Sequence, residues 1–382
     1  MNKNLWLLTL SQIFSFTAAP ITVFLSGIIG SQISPIKSLS TLPMSVSIVG
    51  IAIGSIFASK AMSIIGRKAG FILASIGNSL VSILTAYSIL DQNFILFCFS
   101  NFLIGVGMAF THQYRFAAAE SVEKSKAPKA ISIILLGGIA SALIGPNIAN
   151  YTKDIVSEHL YVGSYVALAF LTFIPTIFLL FYENTSKLEI NIKYLGRSYL
   201  ELILQPRFLQ AIIAAAFGYA IMTFLMTATP ISMHIMEKVS LNKTSIVIQI
   251  HIIAMFLPSL ITGHLIKKYG HSNIMYAGVF LFSITIISSF FEQTFLNYLF
   301  SLIFLGLGWN FLFISGTSLL VLNYKEEEKF KAQGFNDFIV FSIHAIASLV
   351  AGILLSTIGW KSINLVCIPF LILILISTYR AE

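Results

Sequence analysis

Apolar residues run through this chain in blocks of roughly 20, the length an α-helix needs to cross a hydrocarbon core. Short polar turns separate the blocks. Hydropathy and helix breakers predict twelve spans, at 5–30, 39–59, 69–90, 94–115, 128–150, 160–182, 208–231, 244–266, 272–291, 295–323, 332–356 and 361–378. The opening, MNKNLWLLTLSQIF, has the short basic head of a secretory leader. Its apolar character continues past Pro20 to Ile29, however, which predicts a retained first span.

Composition agrees with this pattern. Of the 382 residues, 57% are hydrophobic and 10% charged, and the mean hydropathy is +0.89. A soluble chain carries about 25% charged residues, so the solvent of this protein is lipid. Cys98 and Cys367 lie inside apolar runs and read as small buried hydrophobes, without disulfide or metal-ligand spacing. The net charge of +8 is scattered over short turns and forms no basic stripe, which argues against a nucleic-acid partner.

The cations set an expected orientation. With the N-terminus in the cytoplasm, 18 of the 23 Lys and Arg fall on that side, against Lys37, Lys153, Lys238, Lys243 and Lys361 on the other. The positive-inside rule then places both termini in the cytoplasm, and an even span count preserves the alternation; the expected location is a bacterial inner membrane. The longest hydropathy break is a charged linker at 183–207, which divides six spans at 1–182 from six at 208–382. In it Ile192, Leu195, Tyr199, Leu202 and Ile203 recur at helical spacing, which suits either a surface-lying amphipathic helix or a solvated linker. The run KEEEKFK, Lys325 to Lys331, reads as a solvated loop.

The halves repeat. Aligning SKAMSIIGRK with GHLIKKYGHS puts Gly66 on Gly270, and aligning FLIGVGMAF with FLGLGWNF puts Gly105 on Gly306 and Gly107 on Gly308. The offsets are 204 and 201 residues, so one register with a small gap covers both matches. Duplicated halves are a mark of secondary transporters. Small residues four apart, which allow close helix approach in lipid, occur as Gly50 and Gly54 in the second span, and as Gly137, Ser141 and Gly145 before Pro146 in the fifth. Polar groups gather in the first, fourth, seventh and tenth spans: Gln12, Asn101, His112, Arg115, Thr223, Thr227 and Asn310. At membrane depth such groups need a partner or water, so these residues are candidates to line a substrate cavity.

Twelve spans in two repeats, a Gly-Arg-Lys turn after span two and a Gly-Pro in span five together resemble the major facilitator superfamily. In the family signature after span two, Gly66, Arg67 and Lys68 match, while Ser59 stands for the first Gly and Ser63 for the Asp. In the second half Gly263, Lys268 and Gly270 match, and Lys267 occupies the Asp position. The resemblance implies an all-α polytopic fold of twelve transmembrane helices in two pseudo-symmetric six-helix domains, alternating access to a central site, and a latching role for the turn after span two. Drug–proton antiporters of the family carry an Arg in span four where Asn101 stands, and end their span-five signature Gly-Pro-x-x-Gly-Gly where this chain has Gly145, Pro146, Asn147, Ile148, Ala149 and Asn150.

Candidate chemistry is sparse. An ionisable group near the bilayer centre costs about 2.5–3.5 kcal/mol on insertion scales, so each demands a reason. His344 and His251 suit proton coupling or a substrate hydrogen bond, or a neutral ring satisfied by a neighbouring helix. Asp337 suits a proton site, a helix cap or a loop-cation partner, and Arg115 an anion site or a tie between spans. Trp309, beside Asn310, can stack on a ring-containing solute or simply pack. There is no phosphate-binding Gly-x-x-x-x-Gly-Lys-Ser/Thr loop, metal-ligand cluster or hydrolase elbow, so neither enzyme activity nor a cofactor is expected. The expectation is a monomeric permease for a small organic solute, with protons as an open coupling ion. A drug–proton efflux pump and a non-transporting receptor are the alternatives.

Overall fold

The computed structural model describes residues 2–36, 39, 42–156, 160–185 and 196–381. Lys37, Ile192 and Leu195 therefore lie outside the described residues. The described chain is helical, and eleven of its helical stretches are long and apolar enough to cross a membrane. One of them, α3 (Leu42–Leu90), has 49 residues. At 1.5 Å per residue it would run about 74 Å, more than twice a hydrocarbon core. It is broken by Gly66, whose φ of 82° and ψ of 161° lie outside helical space. Counted on either side of that break, α3 supplies two spans, and the total is twelve.

The same break recurs. Gly270, between α11 (Ser259–Tyr269) and α12 (His271–Ser288), has φ 84° and ψ 165°. Gly359, inside α14 (Lys329–Val366), has φ 76° and ψ 172°. Only glycine adopts this region without strain. Proline makes other interruptions: Pro20 follows the gap between α1 (Lys3–Ser15) and α2 (Ala18–Ile33), and Pro258 separates α10 (Leu241–Phe256) from α11. Each removes an amide from the helical ladder and crowds the carbonyl one turn earlier.

Two compact units emerge. Unit 1 comprises residues Met1–Glu123, Gly137–Tyr194 and Gln333–Phe341. In it α3 packs on α4 (Phe94–His112) and α7 (Val162–Leu180), and α1 packs on α7. The fourth span continues into α5 (Tyr114–Glu120). Unit 2 comprises Lys124–Leu136, Leu195–Ala332 and Ser342–Glu382. There α13 (Phe295–Leu322) packs on α9 (Pro206–Pro230), α10 and α12, and α15 (Ile368–Arg380) packs on α9. Helix α6 (Ala127–Thr152) contributes its first turns to unit 2 and the rest to unit 1.

Glycine contacts reproduce the repeat inside each unit. A Cβ on Gly105 would strike the Ser47 carbonyl and the Ile51 amide; one on Gly306 would strike the His251 carbonyl and the Met255 amide. A Cβ on Gly107 would meet Asn78, and one on Gly308 would meet Phe282. Each contacted residue in the second half lies 204 positions after its counterpart. Both halves thus use the same backbone-to-backbone approach. Gly50 and Gly54 complete it in unit 1, against Phe102 and Val106 of α4. Gly137 abuts Gln12 and Thr9 of the first span, Gly145 abuts Pro20, and Ser141 between them donates to the Ile13 carbonyl at 2.7 Å. Pro146 sits inside α6.

Five residues of linker form α8 (Tyr199–Ile203), capped by a reciprocal Ser198–Glu201 box. Leu202 is buried and Tyr199 is exposed. The acidic run before α14 is not wholly solvated. Glu328 is fully buried and accepts from Arg197 Nη2 at 2.5 Å and Nε at 2.7 Å, and from the Arg197 and Lys325 backbone amides at 2.9 Å. These bonds raise the Arg197 guanidinium above its usual pKa, the hydrogen bond to Glu328 chief among the causes.

Candidate functional site

Unit 1 concentrates its buried charge at one end. Arg67, next to the Gly66 break, is 4% exposed. Its Nε donates to Glu120 Oε2 at 2.9 Å, and its Nη2 donates to Glu120 Oε1 and Gln333 Oε1, each at 2.6 Å. Gln333 Nε2 closes the ring onto Glu120 at 2.7 Å. The acid missing from position 63 is therefore supplied by Glu120 at the end of α5, 53 residues after Arg67. Ser63 itself is exposed and bonds back to the Lys60 carbonyl. The Lys68 backbone amide donates to Asn184 Oδ1 at 3.0 Å.

A second buried pair joins Arg115 to Asp337, both almost wholly inaccessible. Gln113 Nε2 at 3.0 Å and Asn336 Nδ2 at 2.9 Å also donate to the Asp337 carboxylate. Arg115 further donates to the His112 carbonyl at 2.9 Å. Gln333, Asn336 and Asp337 fall on one face of α14 by their i, i+3, i+4 spacing. Gly334 lets that face lie flush, because a Cβ there would come within 2.6 Å of the Ser59 Cβ. Burying such pairs is costly in desolvation, so they specify geometry more than they add stability. Farther along, the half-buried His112 ring meets Phe341 at 4.4 Å and Phe16 at 5.7 Å. Gln12, one turn before Phe16, is buried with no protein partner for its Oε1 among the described residues. Asn101 is committed locally, accepting from Ser26 at 3.1 Å and donating to the Phe97 carbonyl at 2.8 Å.

Apart from the Arg197–Glu328 pair, unit 2 gathers rings. Trp309 stacks on Phe313 at 4.9 Å with 13° between planes, one turn apart on α13. Tyr219 stands edge-on to both, at 5.4 Å and 5.5 Å. Phe256 closes a further side of the indole at 5.7 Å, and His344 lies on Tyr219 at 4.7 Å. Trp309, Phe313 and Phe256 are buried, whereas Tyr219 and His344 are half-buried and form the accessible edge. Trp309 Nε1 and the hydroxyls of Thr223, Ser315 and Thr317 have no protein partner among the described residues. An unpaired buried polar group costs about 1–3 kcal/mol, and the Trp309 Nε1 is one that lies within the ring cluster itself.

The remaining residues singled out by sequence are distributed around this cluster. Thr227 is half-buried, two turns beyond Tyr219 on the same face of α9. Asn310 does not face the rings: it donates to the Met255 carbonyl at 2.6 Å and Ser259 at 2.8 Å, and accepts from Thr262 at 2.6 Å, tying α13 to α10 and α11. His251 is fully buried, with Nδ1 on the Leu302 carbonyl at 2.8 Å. Gly263 packs against Lys129 and Ser132 of α6. Lys267, Lys268 and Gly270 are exposed at the α11–α12 turn, with Lys268 over the Tyr269 ring. Sequence reasoning missed Tyr219, although its i, i+4, i+8 spacing with Thr223 and Thr227 was readable. It also missed Glu120, for which no local signal existed.

Spans long and apolar enough to cross a membrane, with the same glycine contacts duplicated in each half, are the build of a membrane solute transporter. The profile described as Major Facilitator Superfamily matches residues 5–235 and 215–381. The chain belongs to that superfamily and is a multi-pass secondary transporter with a small-molecule substrate. It is 33% identical over 376 residues to the riboflavin transporter RfnT of Brucella anthropi, covering 98% of this chain and 94% of that one. Its fold is similar to that of a bacterial homologue of the iron transporter ferroportin in an outward-facing state, with TM-score 0.77 and 12% identity over 100% and 99% of the two chains. It is also similar to the Escherichia coli fucose:proton symporter FucP, with TM-score 0.76 and 15% identity over 98% of each chain.

Proposed function

We propose that this protein carries riboflavin or a closely related flavin, a neutral planar heteroaromatic solute, across a bacterial inner membrane by alternating access. The observation that carries the reading is the ring cluster of unit 2, where Tyr219 and His344 form the accessible edge and the Trp309 Nε1 has no partner among the described residues. Stacking suits a flat ring system, and a small number of placed polar groups fixes its orientation. The end-to-end likeness to a riboflavin transporter selects flavins among such solutes. No buried cation is left over for an anionic substrate in the pairs described, since Arg67 holds Glu120 and Arg115 holds Asp337.

The reading favours flavin transport over drug–proton efflux, because Asn101 is engaged with Ser26 and the Phe97 carbonyl. His344 is the proposed proton-coupling residue, a reading supported by the contact of its ring with Tyr219. The test uses purified protein in liposomes. Labelled riboflavin is expected to enter with saturable kinetics, to be competed by unlabelled riboflavin, and to stay out of protein-free vesicles. Uptake no faster than in empty vesicles would sink the proposal. Repeating the assay with an inward pH gradient, in the native protein and in His344→Ala, reads the coupling: stimulation that survives the substitution removes His344 from that role.

A further inference from the structure

The donor-only chemistry of Trp309 narrows what part of a substrate unit 2 can recognise. An indole N–H donates and cannot accept. Here it is buried to 2% exposure with no protein acceptor among the described residues, while rings occupy three sides of the indole. Its missing partner must be an acceptor that arrives with flat apolar surface around it. A carbonyl on the edge of a fused heteroaromatic ring has that form. A polyol chain does not, because each hydroxyl would bring a donor of its own into an aromatic box.

The neighbouring groups fit the same ligand. Tyr219 presents the half-buried ring nearest the indole, and Thr223 stands one turn along the same face of α9 with its hydroxyl unpartnered among the described residues. A hydroxyl both donates and accepts, so it serves a ring N–H or a second carbonyl equally. None of Tyr219, Thr223, Phe256, Trp309, Phe313 or His344 is an acid, Lys or Arg.

We infer that unit 2 recognises the tricyclic ring of the flavin and not its ribityl chain, with Trp309 Nε1–H donating to a ring carbonyl and Tyr219 stacking on the ring. This deepens, and rests on, the flavin reading given above. Trp309 and Tyr219 are then the residues that set specificity, and the ring alone is a sufficient ligand.

The experiment measures binding and flux separately. Lumichrome, a flavin-like tricycle without the ribityl chain, and ribitol, a polyol without the ring, are added to riboflavin uptake and to a fluorescence-quenching titration of the purified protein. Lumichrome is expected to bind and to compete, and ribitol to do neither. Trp309→Phe keeps a ring but loses the donor, and is expected to raise the KM for riboflavin and the Kd for lumichrome together by about tenfold, which is 1.4 kcal/mol. Tyr219→Phe should retain binding and Tyr219→Ala should lose it, which separates stacking from a folding defect. Competition by ribitol but not by lumichrome, or a Trp309→Phe protein with native constants, overturns the inference while leaving riboflavin transport intact. Lumichrome binding that depends on Trp309 in a protein that moves no riboflavin would leave the ring site standing and reject the transported solute.

Discussion

Arg67 shows how a single residue changes meaning once its surroundings are known. In the sequence it is one of three cations near a glycine, with no acid beside them. In the fold it is a buried fork gripped by Glu120 and Gln333. Removing one partner of such a pair leaves an uncompensated buried charge, at a cost of about 3–5 kcal/mol. Glu120→Gln is therefore expected to lower the thermal midpoint of the purified protein by several degrees. The double change Arg67→Met with Glu120→Leu removes both charges and should recover most of that loss. A Glu120→Gln protein as stable as the native one would show that the pair contributes only geometry. Arg115 and Asp337 repeat the arrangement with two amide donors added. The neutral groups carry the other half of the message, since the Trp309 Nε1 and the Thr223 hydroxyl lack a hydrogen-bond partner among the described residues.

At the scale of helices, small residues decide which neighbours can meet. The carbonyl of Ser47 sits where a Cβ on Gly105 would go, so α3 and α4 approach backbone to backbone. Gly105→Ala should destabilise unit 1 by about 1–3 kcal/mol, the usual cost of overpacking. A Cβ on Gly77, in the third span, would meet no other part of the described residues within 4 Å. Gly77→Ala should instead be neutral or stabilising by up to about 1 kcal/mol, from helix propensity alone. Thermal unfolding of the two variants side by side is the measurement, and equal effects would refute the packing assignment. The repeat was legible here because glycines leave a trace in sequence: Gly66 and Gly270 align, and both adopt the same positive-φ break. Glu328 was not legible as a buried residue. Its run of acids looks like a solvated loop until Arg197, 131 residues earlier, is brought against it.

For the whole molecule, counting spans and cations gives an expected orientation, and it too can be tested. In a protein lacking Cys98 and Cys367, Ser63→Cys and Asp154→Cys place one exposed reporter near each end of the unit 1 helices. An impermeant thiol reagent added to intact cells is expected to label position 154 and spare position 63. The reverse pattern would invert the orientation. The sequence by itself determined the membrane location, the span count, the duplication and the superfamily. These rest on local quantities: apolar length, turn residues, charge along the chain, and glycines that no other residue replaces. The tertiary structure alone decided which acid answers Arg67, that Asp337 answers Arg115, that Asn101 and Asn310 tie helices together, and that Tyr219 joins Trp309 in one ring cluster. Pairing of that kind depends on which faces of distant helices meet. In lipid nothing marks those faces by hydrophobicity, because a lipid-facing leucine and a packed one look the same along the chain.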